Sequence, residues 1–419
     1  MRAIHNTAFL CGCFSTKKGL DSIDLKWEKS LMTENDKSVM EKFYYPEFVS
    51  FCYPSAGNEK NGMVRYVLAV DKNIELNLKG KQCPVLVKNI SLFILPYDLL
   101  IYAIQVTQDG AGLDDITLSL SVLRNISDYK DELLQNGWGE VLEPVVEVYK
   151  SAAASKQGVF RYFDMMENGN KLKIFNIVEI ESEKMKENKQ SELLFELGTL
   201  APINSYNNNS FSSPSQEYFD KIMNKNKISV FNNWKGLSLF DTFTVLSHPT
   251  NQYLLDNWSN YYFGMIYIHS LFLKFYLFRM NILFRTKAIE ASSLEREFLK
   301  FELNCCFHKI SYNFLPLEIY QSLDTGLEIN EERKQIYRKI AQEKNIQEKE
   351  GDRKMNNLLL FLTCLTVFST VWDFSCLFNE IYPYEETIGS TVIGYRLVAS
   401  ILLLIVLVII IFNRYNRKK

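Results

Sequence analysis

The strongest constraint on this chain lies at its C-terminal end, where two apolar runs follow one another. Leu358 to Phe378 is apolar apart from small hydroxyls, Trp372 and Asp373, and Val392 to Phe412 contains no polar residue at all from Ile401 onward. Each matches the roughly 20 residues that cross a bilayer, so the sequence predicts a two-span hairpin. The connection from Asn379 to Thr391 carries Glu380, Glu385 and Glu386 and no Lys or Arg. Arg353 and Lys354 precede the first run, and Arg414, Arg417, Lys418 and Lys419 follow the second. That asymmetry places both chain ends in the cytoplasm and implies a multi-pass protein of the inner (cytoplasmic) membrane.

The two runs differ in chemistry. In the first, Asp352, Asn356, Leu359, Thr363, Thr366, Thr370 and Asp373 recur at steps of four and three, which sets them along one helix face. Polar groups in a span avoid lipid, so Asn356, Thr363, Thr366, Thr370 and Asp373 are candidate pore-lining residues in a ring of subunits, with the second run outside against lipid. Asn379, Glu380, Glu385 and Glu386 would lie at the outer entrance, where the three glutamate carboxylates favour cations. A plain packing stripe, its Thr hydroxyls bonded to their own helix carbonyls, is the alternative reading.

Ahead of these runs, Leu327 to Lys354 is rich in Glu, Lys, Arg and Gln with thinly spaced isoleucines, a solvated helix whose weak point is Gly351. It reads equally as a stalk that carries motion or as an inert spacer. Trp258 to Phe284 is dense in aromatics but holds His269, Lys274 and Arg279, which favours a buried helix over a third span. Arg285 to Tyr312 continues in helical periodicity. In the first half, Val64–Val70, Val85–Leu95, Leu99–Thr107, Val159–Phe163 and Leu172–Ile180 read as strands, and Thr117–Leu134 and Val141–Ser155 as helices, giving an α/β or α+β domain. The boundaries expected are an α/β cytosolic domain over 1–200, a polar linker and connecting segment over 201–255 containing the low-complexity Asn204–Ser215, long helices and stalk over 256–357, the hairpin over 358–412 and a basic tail over 413–419.

Composition excludes several classes. The net charge of −2 with interspersed acids and bases offers no basic face for direct nucleic-acid binding. The eight cysteines show no zinc spacing and read as reduced thiols, and the N-terminus has no signal peptide. Gln108-Asp109-Gly110-Ala111-Gly112 lacks a phosphate-loop fingerprint and reads as a turn. His5, His248, His269 and His308 form no catalytic or metal spacing, so no enzyme activity is expected.

The α/β domain, long helices, charged stalk, two terminal runs, acidic loop and basic tail together resemble the CorA family of divalent cation channels. At the position of that family's Gly-Met-Asn motif this chain has Leu377-Phe378-Asn379-Glu380, which keeps only the Asn. The resemblance implies a funnel-shaped homo-oligomer, a pentamer, in the lipid bilayer. Asn379 would hold a hydrated Mg²⁺ or other divalent cation, transported or regulatory, and Thr363, Thr366, Thr370 and Asn356 would line the pore. Some members that are similar in lacking the full motif are membrane effectors of type III CRISPR antiviral defence, opened by a nucleotide second messenger. The expectation is therefore a ligand-gated effector channel. The alternatives are a housekeeping Mg²⁺ transporter and a pore-less membrane-anchored scaffold.

Overall fold

The structure is a computed structural model that describes residues 1–16, 26–78, 80–126, 137–152, 162–166, 171–181, 185–206, 213–249, 256–286 and 291–381. In chain order the elements are β1 (Ala3–Ser15), β2 (Glu28–Ser30), α1 (Glu34–Met40), α2 (Pro46–Cys52), β3 (Val64–Leu78), β4 (Lys81–Leu95), β5 (Leu99–Thr107), α3 (Leu113–Leu123), α4 (Trp138–Ala152), β6 (Lys173–Ile180), α5 (Glu187–Thr199) and α6 (Gln216–Asn226). There follow β7 (Lys227–Ile228), β8 (Trp234–Ser238), β9 (Thr242–Ser247), a π-helix over Trp258–Tyr267, α7 (Ile268–Thr286), α8 (Ala291–Cys305), α9 (Phe314–Gly326) and α10 (Ile329–Ile381).

Among the described residues the strands form one sheet in the order β2-β3-β4-β5-β1-β6-β9-β8-β7. All neighbours pair antiparallel except β6 and β9. β1 is central and covered on both faces, so it is buried almost throughout instead of alternating. On one face Leu10 and Phe14 of β1 join Leu92 of β4, Ile104 of β5 and Val178 of β6 in the main core, closed by Leu120 of α3, Val145 of α4, Leu194 of α5 and Met223 of α6. The other face is aromatic. Phe9 stacks on Phe263 of the π-helix at 3.7 Å, and Phe175 stacks on Phe243 of β9 at 5.0 Å.

The strands expected over Val64–Val70, Val85–Leu95, Leu99–Thr107 and Leu172–Ile180 are present, the first extended to Leu78. The helices expected over Thr117–Leu134 and Val141–Ser155 start earlier, as α3 and α4. Instead of a strand, Tyr162–Met165 is a 3₁₀ turn. Residues 159–161, 207–212, 392–412 and 413–419 lie outside the described residues, as do Glu385 and Glu386.

The two-span hairpin is overturned. Among the described residues no helix is long and apolar enough to cross a membrane. Leu358–Phe378 belongs to α10, one helix of 53 residues that runs unbroken through Gly351 from a charged first half. Between Asn357 and Asp373 the stretch free of both charge and amide is 15 residues, short of the roughly 20 a bilayer requires. The membrane, channel and ion-transport reading, and the inner-membrane location with both ends cytoplasmic, fall with it. The chain divides into two compact units, Met1–Lys339 and Ile340–Lys419.

Candidate functional site

Asn356, Thr363, Thr366, Thr370 and Asp373 all lie on α10 with exposed side chains. The hydroxyls are satisfied within the helix: Thr363 donates to the Leu359 carbonyl at 2.7 Å, Thr366 to Thr363 at 2.8 Å and Thr370 to Thr366 at 2.6 Å. A Thr that bonds its own helix makes no demand for a water-filled path. Asn379 and Glu380 fall in the last turn of the same helix. Among the described residues, no hydrogen bond or ion pair of these polar groups reaches a second element.

In the α/β unit the distinctive group is Arg65. β3 starts at Val64, and alternation sends Tyr66 and Leu68 toward the main core while Arg65 points to the aromatic face. It pairs in register with Phe93 of β4 and Ser30 of β2. Its Nη2 donates to Ser91 Oγ at 3.1 Å, and its guanidinium carbon stands 5.4 Å from the Phe93 ring centre. Phe93 in turn meets Phe263 of the π-helix edge-on, with ring centres 6.3 Å apart. Burial lowers the pKa of Arg65 and Tyr53 partly restores it. A guanidinium does not give up its proton at ordinary pH, so the lowering expresses how costly its charge is there. Among the described residues its partners are a hydroxyl and rings, with no carboxylate in an ion pair.

Arg65 lines a cleft of about 60 Å³ together with Lys29, Lys37, Tyr53 and Glu59. Lys37 sits in the last turn of α1, and Tyr53 follows the end of α2. Lys29 is paired with Glu59. The Met63 amide donates to the Phe51 carbonyl at 2.7 Å and ties the end of α2 to the approach of β3. At roughly 10–15 Å³ per water the cleft holds a few waters, or one phosphoryl or carboxylate group. Three cations against one carboxylate favour an anion, and a planar guanidinium engages two of its oxygens at once. Burial raises the Tyr53 pKa, which keeps that hydroxyl a donor.

No reading of the sequence assembled this cleft, because its lining comes from β2, α1, the α2–β3 connection and β3. One signal was available: an Arg inside the otherwise apolar strand start Val64-Arg65-Tyr66-Val67-Leu68.

The structure also brings together residues the sequence kept apart. His5 Nδ1 lies 2.9 Å from Asp109 Oδ1, and its Nε2 lies 2.9 Å from Thr7 Oγ1. The same Asp109 oxygen accepts the Asn6 amide at 3.0 Å, and Thr7 is buried inside the central strand. The chain of bonds therefore staples β1 to the turn after β5. Among the described residues no group of three His, Cys, Asp or Glu could hold a metal ion. No protein-family model, curated protein or solved structure matches this chain.

Proposed function

We propose that this protein is a receptor, not an enzyme, whose unit Met1–Lys339 binds a small phosphoryl-bearing molecule in the cleft beside β3. A nucleotide second messenger is the ligand class that the sequence resemblance implies. The observation that carries the reading is Arg65, a desolvated cation with no carboxylate partner among the described residues, at the wall of a cleft with the volume of one phosphoryl group. Lys29 and Lys37 add long-range attraction, and Glu59 holds Lys29 in place. The cation-conducting part of the earlier expectation is not carried forward, because it required the two spans.

Titration calorimetry of the full chain with inorganic phosphate and with a nucleoside monophosphate tests the proposal. Arg65→Gln should weaken binding roughly 10- to 100-fold, the range for a lost hydrogen bond to a charged group. Lys37→Gln should weaken it less and flatten its salt dependence. Absence of binding by the unaltered chain at millimolar ligand would remove the proposal. The resemblance also implies that several copies act together, and sedimentation of the full chain with and without phosphate measures that.

A further inference from the structure

From the cleft, a continuous path of packed groups leads to the start of α10. The Arg65 guanidinium stands 5.4 Å from the Phe93 ring centre, Phe93 meets Phe263 of the π-helix edge-on at 6.3 Å, and the π-helix runs without a break into α7. Lys274 of α7, 1 % exposed, pairs with Glu332 in the first turn of α10 at 2.9 Å. Asn281, two turns further along α7, donates to the same Glu332 carboxylate at 2.6 Å, and its own side-chain oxygen accepts from Lys339 Nζ at 2.9 Å. The next residue of α10, Arg333, pairs at 2.9 Å with Glu302 of α8.

Adjacent residues of an α-helix project about 100° apart. Glu332 and Arg333, of opposite sign, are thus held by oppositely charged residues on two different helices. A rotation of α10 about its axis must break at least one of these pairs, so together they fix its azimuth. The Lys274 ammonium also lies 4.5 Å from the Phe240 ring centre, and Lys173 lies 3.9 Å from the same ring while pairing with Asp241 at 2.6 Å. The β8–β9 turn therefore holds Lys274 from its other side.

We infer that Lys274–Glu332 and Glu302–Arg333 form a rotational lock on the start of α10, and that an anion bound at Arg65 releases it. The inference rests on the cleft being an anion site. Buried ion pairs are weak contributors to stability, and their best-attested use is to fix a register or to switch. The direction follows from Arg65. Nη2 is held by Ser91 while Nε has no partner among the described residues, so gripping a phosphoryl group turns the guanidinium off the Phe93 face, and Phe93 packs on Phe263 of the π-helix. A π-helix, wider than an α-helix and poorly bonded, is the element in this path that yields most readily. A shift there is passed to Lys274 and Asn281 by the rigid α7.

Hydrogen exchange of the full chain with and without saturating inorganic phosphate reads the effect at the amides of residues 329–339. Phosphate should speed their exchange by on the order of tenfold, within the usual range of coupling between two sites. The double variant Lys274→Met with Glu332→Leu removes both charges together, so that no lone buried charge is left. It should exchange fast at these amides from the start and show no further change with phosphate. Binding of phosphate with unchanged exchange at 329–339 overturns the lock and leaves the cleft standing. A double variant that keeps the unaltered chain's phosphate response also overturns it. Failure of phosphate to bind removes the cleft reading and this coupling together.

Discussion

His269 is fully buried in an aromatic cage, with Phe51 at 5.3 Å, Phe48 at 5.4 Å and Phe307 at 5.5 Å between ring centres. One ring nitrogen lies 2.9 Å from the Cys305 carbonyl. Burial pulls its pKa down from 6.5 to about 4, against the opposing hydrogen bond to the Cys305 carbonyl and with a further lowering by Arg333. The unfolded chain therefore binds a proton that the folded chain refuses between those values. Stability from this site is complete above about pH 6.5, falls as the pH drops toward 4, and levels off below. The loss amounts to about 3 kcal/mol at most. In urea unfolding from pH 7 to pH 4, His269→Phe should show a shallower acid slope than the unaltered chain, and an identical slope would contradict the assignment. A second prediction concerns the buried pair. Lys274→Met alone leaves the Glu332 carboxylate without its countercharge and with Asn281 as its donor, and should cost about 3 kcal/mol, the lower end for a broken buried pair because Glu332 also keeps some exposure. Thermal melts should place the double variant with Glu332→Leu well above that single variant. Neither His269 nor Lys274 was assignable from sequence beyond arguing against a third span, because what each does depends on partners that α8 and α10 supply.

At the scale of elements, close approaches set two sharp tests. A Cβ on Gly12 of β1 would overlap the buried Tyr102 ring of β5, and one on Gly326, at the end of α9, would lie 2.7 Å from the Ser238 backbone of β8. A buried ring can tilt at a cost, but the β8 backbone is held by β9 and β7. Gly326→Ala should therefore destabilise at least as much as Gly12→Ala, each by about 1–3 kcal/mol or more, in chemical unfolding followed by tryptophan fluorescence. These contacts also explain what sequence could and could not reveal. β3, β4 and β5 are long and bounded by Gly or Pro-containing turns, so their periodicity was legible. β1 was not, because a strand covered on both faces loses its alternation and Gly12 and Asn6 break its apolar run. β8 and β9 are too short to show a period, and their place beside β6 rests on pairing across distant sequence. α10 was legible as a helix, but its Thr stripe was ambiguous, because the same spacing serves a pore wall or a packing stripe; the Thr hydroxyls bond the carbonyls of their own helix.

For the whole molecule, the division at Lys339 concentrates the packing in one unit. Among the described residues, the fully buried side chains belong to Met1–Lys339, from the central strand to Ile336 in the second turn of α10. A chain ending at Gly351 keeps all of these, the Lys274–Glu332 and Glu302–Arg333 pairs and the Arg65 cleft. It should match the full chain in circular dichroism normalised for length, melt within a few degrees of it, and bind phosphate with the same affinity. The two chains should differ in association. In the full chain α10 presents Leu358, Phe361, Leu362, Phe368 and Trp372 uncovered, Trp372 at 64 % exposure. A contiguous apolar surface of that kind seeks cover from another molecule or from elsewhere in its own chain. Sedimentation should therefore show the chain ending at Gly351 as a monomer and the full chain associated at the same concentration. A monomeric full chain would mean that residues 382–419, or the helix itself by bending, cover those side chains. An associated short chain would place the sticking surface on the α/β unit, at exposed aromatics such as Phe314 and Tyr312.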